Sequence, residues 1–381
     1  TINWCAVFRG RTENPSTMAA VASAVPKELP AAAAAQPAKP AALIKSLTDH
    51  LTAVPSSYVF PSAAEASADP EDSLPIIDYS KLVSGDPNER SGALGDLSKA
   101  CRDWGFFMVT NHGVPEGLRA GIVEACEAFF NLTAEEKKAY QAKRMLSPIN
   151  AGTSFNRADE KAICWRDFLN LHLHPKLHYP DNPPQFREAI TEWSRATREI
   201  GLAFLRAISE TLGLPADRLE KASEQEQGFS LFTANLYPPC PQPELAMGIS
   251  AHTDDGLLNF LVQNGVAGLQ LQRDGRWYNV DAPPGCYLVI VGDHIEIMSN
   301  GKYKSSVHRG TVNSKATRMT VVVSVSPAME AEIAPIPELV EEASNPAAYR
   351  GMKYGEYLKV VHSEVSQGDV LSIVRIPKSE A

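Results

Sequence analysis

Two residues suited to metal chemistry stand close together in the segment His252-Thr253-Asp254. On a β-strand, positions i and i+2 lie on the same side, so the imidazole and the carboxylate can enter one cavity. The pair alone carries little information, because a histidine and an aspartate reach this spacing by chance in a chain of this length. A hydrogen-bonded histidine in a turn is the simpler interpretation, unless other residues complete a site.

A second histidine strengthens the metal interpretation. His308 follows His252 by 56 positions and stands at the edge of another strand-like run. Two imidazoles and one carboxylate are the ligands of the facial triad, which leaves open coordination positions on Fe(II). The same three ligands also suit the zinc ion of a hydrolase, so the triad does not decide the metal.

Four further residues predict a binding site for an acid beside this metal. Arg318 and Thr320 share one face of the strand-like run RMTVVVSV, and Asn235 and Tyr237 share one face of another run. A guanidinium holds a carboxylate through two parallel hydrogen bonds, and the threonine hydroxyl and the tyrosine phenol can each add one more. A surface ion pair would explain Arg318 alone, and core packing would explain Tyr237 alone. Together they favour a bound organic acid and argue against a zinc hydrolase.

Short strand-like runs separated by turn residues follow one another from Phe229 onward. They are FSLFTANLY, LLNFLVQN, GLQLQR, WYNV, YLVIVGD and MTVVVSVSP. Their spacing is typical of a β-sandwich or barrel. Before them, the apolar periodicity predicts helices over 89–103, 116–142 and 186–212, with a capping box at Thr133-Ala-Glu-Glu136. The sequence therefore predicts a C-terminal β-core framed by helices.

Composition limits the class of protein further. The 381 residues are 44% hydrophobic and 21% charged, which is typical of a folded globular chain. The net charge of −9, with no basic patch, argues against nucleic acid as a partner. No run of about 18 apolar residues predicts a membrane span. The six cysteines show no C-x-x-C spacing, so we expect reduced thiols and a cytoplasmic protein.

The Ala/Pro-rich segment 1–42 is expected to be flexible, because it has too few large apolar residues to bury a core. Residues 1–17 lack a secretory signal, and Met18 is a plausible native start. A plastid transit peptide after Met18 is the competing interpretation. Beyond this segment we expect a helical and β region at 43–220, the catalytic β-core at 221–331, and a C-terminal lid at 332–381.

Ordered motifs along the chain resemble those of the plant iron(II)/2-oxoglutarate-dependent dioxygenases of specialised and hormone metabolism. The matching stretches are VPSSYVFP (54–61), LPIIDYSKL (74–82), WGFFMVTNHGVP (104–115), FFNLTAEEKKAY (129–140), NLYPPCPQPEL (235–245), AHTD (251–254), GLQLQRDGRWYNV (268–280), GDHIEIMSNGKYKSSVHR (292–309) and the R-x-T at 318–320. The resemblance implies a double-stranded β-helix, which is a jelly-roll fold, mainly β with flanking helices.

The resemblance also assigns roles to the residues discussed above. It implies that His252, Asp254 and His308 are the iron ligands and the catalytic centre, and that the 2-oxoglutarate site consists of Arg318, Thr320, Tyr237 and Asn235. The cofactors implied are Fe(II), 2-oxoglutarate and O2, with ascorbate as a supporting reductant. The reaction implied is hydroxylation or desaturation of a small molecule with release of succinate and CO2.

Some residues depart from the family pattern or fall outside it. Thr320 replaces the usual serine and keeps the hydroxyl, and Asn259 stands where many members carry threonine. Asp255 is expected to point away from the metal, as a surface or substrate-side charge. His294 is interpreted as a structural histidine. His172 and His174 form an H-x-H with no further ligand nearby.

The substrate is the least determined part of the prediction. An approximate alignment places Phe155, Phe168, Thr233, Ser324 and Ser326 at substrate-facing positions. Beyond Arg318 this face is neutral and carries hydroxyl groups, and it lacks the second cation that a strongly anionic substrate would need. We therefore expect a neutral or weakly polar metabolite, such as a flavonoid, a terpenoid or a hormone, bound by a monomeric enzyme.

Two alternatives within this fold stay open at the level of sequence. One is an ascorbate-dependent iron oxidase that does not use 2-oxoglutarate, in which the Arg-x-Ser motif also occurs. The other is an inactive relative that only binds a ligand. Consumption of 2-oxoglutarate separates the first alternative from the dioxygenase, and turnover with any of a broad set of metabolites separates the second.

Overall fold

The computed structural model describes residues 43–48, 51–60, 67–68, 74–142, 146–154, 162–341, 343–361 and 370–377, all within one compact unit, Lys39–Ala381. Its α-helices are α1 (Ile44–Thr48), α2 (Tyr79–Leu82), α3 (Pro87–Asp103), α4 (Glu116–Asn131), α5 (Ala134–Lys138), α6 (Phe186–Thr211), α7 (Arg218–Ala222), α8 (Asp293–Met298) and α9 (Tyr354–Val361). Helices α3 and α6 confirm those expected at 89–103 and 186–212, and the expected helical segment 116–142 is divided into α4 and α5. The predicted capping box closes the start of α5 through Thr133 and Glu136.

The described strands outnumber those expected from sequence. They are β1 (Ser67–Ala68), β2 (Ile76–Asp78), β3 (Phe106–Thr110), β4 (Ile149–Thr153), β5 (Asp167–His174), β6 (Ser230–Tyr237), β7 (Ile249–His252), β8 (Leu258–Gln263), β9 (Leu269–Arg273), β10 (Arg276–Asn279), β11 (Tyr287–Val291), β12 (His308–Gly310), β13 (Arg318–Val325), β14 (Glu332–Ile333) and β15 (Met352–Lys353). The six runs predicted after Phe229 correspond to β6, β8, β9, β10, β11 and β13. The strands β4 and β5 were not predicted, and they extend the sheet on the N-terminal side of β6.

Two sheets carry the strands that surround the candidate site. An eight-stranded sheet has the order β2-β3-β11-β8-β13-β6-β5-β4, and a five-stranded sheet has the order β1-β10-β9-β12-β7. The strands β14 and β15 form a separate pair. Within the eight-stranded sheet, β13 lies between β6 and β8 and is antiparallel to both.

Apolar side chains that point alternately to the two faces of its strands form one hydrophobic layer on each side of the eight-stranded sheet. On β3, Phe106 and Met108 join an apolar cluster with Leu269 and Leu271 of β9, so this cluster bridges the two sheets. The intervening residue Phe107 belongs to the main core instead. Because successive side chains point to opposite faces of a strand, the eight-stranded sheet is buried on both sides.

Helix α6 supplies much of the second layer. Its buried residues recur at helical spacing along 26 residues and join the main core with the outer faces of β8, β11 and β13. Gly201 brings the helix close to the sheet, because a Cβ atom there would lie 2.7 Å from Cγ2 of Val325 and 3.3 Å from the ring of Phe260. The helix therefore packs against the face of the sheet that looks away from the site.

Among the described residues, none of the helices combines the length and the hydrophobicity that a bilayer-spanning segment requires. The five described cysteines are buried and form no disulfide. This agrees with the expectation of free thiols for these five positions; Cys5 lies outside the described residues.

Candidate active site

His252 and His308 meet on the five-stranded sheet. His252 ends β7 and His308 begins β12, and the two residues are directly opposite each other in this antiparallel pair. Their ring centroids lie 4.2 Å apart. Residues 56 positions apart in sequence are thereby brought to one point by strand pairing.

Asp254 completes the cluster, but not in the way that the sequence suggested. The H-x-D segment was expected to lie on one strand, whereas β7 ends at His252 and Asp254 stands in the following loop. Its Oδ1 is 3.6 Å from Nε2 of His252 and 3.7 Å from Nε2 of His308. One donor atom from each of the three residues lies within 4.8 Å of the others. A single ion can therefore bind all three.

The backbone sets the orientation of both imidazoles. Nδ1 of His252 is 2.8 Å from the carbonyl oxygen of Ser250, and Nδ1 of His308 is 3.0 Å from the carbonyl oxygen of Ser306. A carbonyl only accepts, so each Nδ1 carries the proton and each Nε2 presents its lone pair to Asp254. Metal-binding histidines are held in this way, and the donor set fits a divalent ion such as Fe(II).

Burial keeps the histidine of β7 in the neutral form that binds metals. It lowers the pKa of His252 well below its usual value, and the neighbouring His308 lowers it further. Burial also raises the pKa of Asp254, which His308 partly offsets. A metal ion favours the ionised carboxylate and the neutral imidazole. Metal binding would therefore lower the pKa of Asp254 again.

The predicted acid-binding residues lie on the other sheet. Arg318 and Tyr237 are directly opposite each other on β13 and β6, and the next such pair on the same face is Thr320 and Asn235. The guanidinium carbon of Arg318 lies 4.8 Å from the centre of the Tyr237 ring. The four side chains thus form one polar group on the eight-stranded sheet.

Arg318 is a buried cation with spare hydrogen-bonding capacity. It is 1% exposed, and its Nε has no hydrogen-bond partner among the described residues. Burial lowers its pKa, although Tyr237 opposes this. A buried charge is costly unless it is paired, so the residue is suited to a carboxylate that arrives from outside the chain. The residues present therefore fit the distal carboxylate of 2-oxoglutarate.

A neighbouring arginine was missed by sequence reasoning. Nη1 of Arg166 donates to Oδ1 of Asn235 over 2.5 Å, and Nδ2 of Asn235 donates to Oγ1 of Thr320 over 3.2 Å. The expectation that no second cation lies near Arg318 is therefore wrong. Arg166 is 69 positions from Asn235, and no local sequence signal connects them.

The expected substrate-facing residues fall into different environments. Phe155 lies outside the described residues. Phe168 of β5 is buried and lies opposite Asn235 of β6. Thr233, also on β6, is half-buried. The hydroxyl of Ser324 accepts from the backbone N–H of Leu231. Ser326 is fully buried just after the end of β13, and a Cβ atom at Gly256 would lie 2.7 Å from its hydroxyl oxygen.

Two other expectations concern residues near the metal ligands. His294 is buried, its Nδ1 donates to the carbonyl oxygen of Asp255, and burial lowers its pKa to about 4. It belongs to no metal-binding cluster among the described residues, in keeping with a structural role. Asp255 is half-buried rather than on the surface, and Tyr354 donates to its carboxylate over 3.4 Å.

Two family models match the chain. The 2OG-Fe(II) oxygenase superfamily model matches residues 228–327, which include the three metal donors and the Arg318 group. The second model describes the N-terminal region of non-haem dioxygenases in morphine synthesis, and it matches residues 74–196. The chain is 43% identical to 2-oxoglutarate-dependent dioxygenase 19 of Oryza sativa subsp. japonica over 317 residues, which are 83% of this chain and 94% of the relative.

The chain belongs to the 2OG-Fe(II) oxygenase superfamily. Flavanone 3-dioxygenase 2 of Oryza sativa subsp. japonica is 40% identical to this oxygenase over 80% of this chain and 89% of the relative. The crystal structure of JOX2 in complex with 2OG, Fe and JA is similar with a TM-score of 0.81 and 31% identity, covering 89% of this chain and 99% of that chain.

These similarities confirm the expected jelly-roll core and the reaction class. The oxygenase is an iron(II)- and 2-oxoglutarate-dependent dioxygenase. The ascorbate-dependent oxidase and the inactive relative are not favoured.

Proposed function

We propose that this dioxygenase binds Fe(II) through His252, Asp254 and His308 and binds 2-oxoglutarate through Arg318, Thr320, Tyr237 and Asn235. Two observations carry the proposal. Arg318 on the eight-stranded sheet is a buried guanidinium whose Nε has no hydrogen-bond partner among the described residues. Three metal donors converge at the other sheet, two from its strands and one, Asp254, from the loop after β7. A co-substrate with a keto-acid at one end and a carboxylate at the other matches both groups.

The chain's own residues have separate tasks in this proposal. When bound together with 2-oxoglutarate and O2, the iron supplies the oxidising power for cleavage of a substrate C–H bond. His252 and His308 would direct their Nε2 atoms at the metal, because their Nδ1 atoms donate to backbone carbonyls. Arg318 holds and orients the distal carboxylate of 2-oxoglutarate. The buried sheet around Arg318 excludes water from that carboxylate.

The substrate that we propose is a small neutral plant metabolite of the flavonoid, terpenoid or hormone class, which is hydroxylated or desaturated. Phe168 offers an aromatic surface, and Thr233 offers a neutral hydroxyl. The neutral class does not rest on the lack of a second cation, because Arg166 lies beside Asn235. Curated relatives named flavanone 3-dioxygenase and flavonol synthase support a flavonoid-like substrate.

A panel of metabolites tests this proposal. The full chain is incubated anaerobically with Fe(II) and 2-oxoglutarate, and then with air and one metabolite at a time. We expect substrate-dependent succinate together with a product that has gained one oxygen or lost two hydrogens by mass spectrometry. A polyanion as the preferred substrate would overturn the substrate class, and turnover without 2-oxoglutarate would overturn the co-substrate.

We also propose a cytoplasmic monomer. The buried, free state of the five described cysteines supports a reducing compartment. Light scattering on the eluted full chain tests the monomer, and imaging of a fluorescent fusion tests the location.

A further inference from the structure

The loop that carries Asp254 is held by contacts from outside its own strand. β7 ends at His252, so no strand pairing fixes residues 253–256. Instead, the backbone N–H of Asp293, at the start of α8, donates to the carbonyl oxygen of Asp254 over 2.8 Å. The N–H of His294 donates to the carbonyl oxygen of Gly256 over 3.1 Å.

Side chains at the start of α8 add to these backbone bonds. Nδ1 of His294 donates to the carbonyl oxygen of Asp255 over 2.6 Å. The hydroxyl of Thr253 donates to Oδ2 of Asp293 over 3.3 Å. Gly292 permits the close approach of the two segments, because a Cβ atom there would lie 2.3 Å from the carbonyl oxygen of Gly256. The loop and the start of α8 are therefore closely packed against each other.

The C-terminal helix α9 is bonded to both of these segments. Tyr357 donates to Oδ2 of Asp293 over 2.7 Å, which is the same oxygen that accepts from Thr253. Tyr354 donates to Oδ1 of Asp255 over 3.4 Å. Both tyrosines are at most 1% exposed. Their rings stand edge-on to the imidazole of His294, at centroid distances of 4.9 Å for Tyr354 and 4.7 Å for Tyr357.

We propose that α9 fixes the position of the metal-binding carboxylate, with Tyr357 and Tyr354 as positioning residues that act through Asp293 and Asp255. This inference rests on the proposed metal site. Each tyrosine holds a residue that is adjacent to Asp254 or bonded to its backbone. The C-terminal segment thus has a role in metal binding that is distinct from covering the mouth of the site.

The physical reason is the cost of ordering a loop. A carboxylate on a loop that samples several positions must lose that freedom when it binds a metal, and this loss weakens the apparent affinity. Contacts that fix the loop in the metal-free protein remove part of this cost in advance. Groups that orient metal ligands typically change metal affinity by about 10- to 100-fold, and a group one bond further away should have a smaller effect.

The test measures Co²⁺ binding to the metal-free full chain by its visible absorption spectrum. We expect Tyr357→Phe, which keeps the ring and removes the hydroxyl, to raise the dissociation constant for Co²⁺ about 3- to 10-fold. Tyr354→Phe loses a longer hydrogen bond and should give a smaller rise in the same direction. If Tyr357→Phe does not yield folded protein, Tyr354→Phe decides the result.

Tyr303→Phe is the matched control. Tyr303 is also fully buried, and its hydroxyl donates to Thr211 of α6 and contacts Ser98 of α3. We expect both Tyr303→Phe and Tyr357→Phe to lower the thermal unfolding midpoint of the metal-free chain, but only Tyr357→Phe to weaken Co²⁺ binding. Wild-type affinity in Tyr357→Phe, or equal weakening in the control, would overturn the inference.

His308→Ala separates this inference from the proposed metal site. If His308→Ala binds Co²⁺ as tightly as the wild type, the proposed ligand set is wrong, and the inference falls with it. If His308→Ala loses the site while Tyr357→Phe retains full affinity, the ligand set stands and only the role of α9 is rejected.

Discussion

His252 and His308 are direct cross-strand partners on β7 and β12, and each donates its Nδ1 proton to the backbone carbonyl two residues before it. The two histidines therefore make the same local hydrogen bond on neighbouring strands. Both Nε2 atoms face Oδ1 of Asp254, at 3.6 and 3.7 Å. The geometry of the metal site is thus a property of strand register as much as of residue type.

Replacement of one partner should abolish turnover. His308→Ala removes one of three protein donors, and we expect substrate-dependent succinate release to fall on the order of 100-fold or more, because two donors bind the ion too weakly. Succinate is quantified by mass spectrometry at saturating Fe(II) and 2-oxoglutarate. A circular dichroism spectrum equal to that of the wild type controls for folding. Full succinate release would contradict the assignment of His308.

Thr320 should contribute to 2-oxoglutarate binding through its hydroxyl. Because Oγ1 of Thr320 accepts from Asn235, its own proton is left to donate to a carboxylate. Thr320→Val keeps the shape and should raise the dissociation constant of 2-oxoglutarate about 5- to 10-fold, which corresponds to one ordinary hydrogen bond. Thr320→Ser should stay within about 2-fold of the wild type. Calorimetric titration of 2-oxoglutarate into the Mn²⁺-loaded protein measures both, and equal affinities of the two variants would reject the role.

Arg166 should act on the same binding step from a distance. A guanidinium only donates, so the Asn235 atom that faces it is Oδ1, and Nδ2 is consequently directed at Thr320. We expect Arg166→Met to weaken 2-oxoglutarate binding by less than Thr320→Val does, since the effect passes through Asn235. The same titration tests this. If the KM of the organic substrate rises while 2-oxoglutarate affinity is unchanged, Arg166 instead acts on the substrate.

His294 should make the stability of the metal-free protein depend on pH. Burial lowers its pKa from 6.5 to about 4 in the folded chain. Between these values the unfolded chain binds a proton that the folded chain does not, so the free energy of unfolding falls as pH decreases from 6.5 to 4, by about 3 kcal/mol in total from this group. The free energy of unfolding, measured by urea denaturation at each pH, should depend less steeply on pH in His294→Gln than in the wild type. Parallel curves for variant and wild type would contradict the shift.

Two helix glycines should respond in opposite directions to a methyl group. At Gly201 in α6 a Cβ would lie 2.7 Å from Val325, whereas at Gly121 in α4 nothing lies within 4 Å. Gly201→Ala should therefore lower the free energy of unfolding by about 1–3 kcal/mol through overpacking. Gly121→Ala should raise it by up to about 1 kcal/mol through helix propensity. Urea denaturation compares the pair, and stabilisation by both would show that the sheet yields at Val325.

The sequence was informative where local pattern and structure coincide. The strands around Asn235 and Arg318 are predicted as strand-like runs between turn residues, and the two-residue period of a strand correctly places Tyr237 with Asn235 and Arg318 with Thr320 on shared faces. The long periodic helix α6 was found with its ends nearly correct. In these cases one period over several residues carries the information.

Prediction failed where the decisive contact is distant in the chain. Asp254 was placed on a strand because nothing local shows that β7 ends two residues earlier. Arg166 was missed because its partner Asn235 is 69 positions away. The bond from Tyr357 to Asp293 joins residues 64 positions apart, and either residue alone is an ordinary polar side chain. Such pairings follow from the packing of whole elements, and no periodic pattern in the sequence indicates them.

The metal donors and the Arg318 group lie on different sheets, with His252 and His308 on the five-stranded sheet and Arg318 and Thr320 on the eight-stranded one. A co-substrate that reaches from the metal to Arg318 would consequently act as a brace between the two layers of the sandwich. Its binding would then join the two layers of the sandwich through one small molecule.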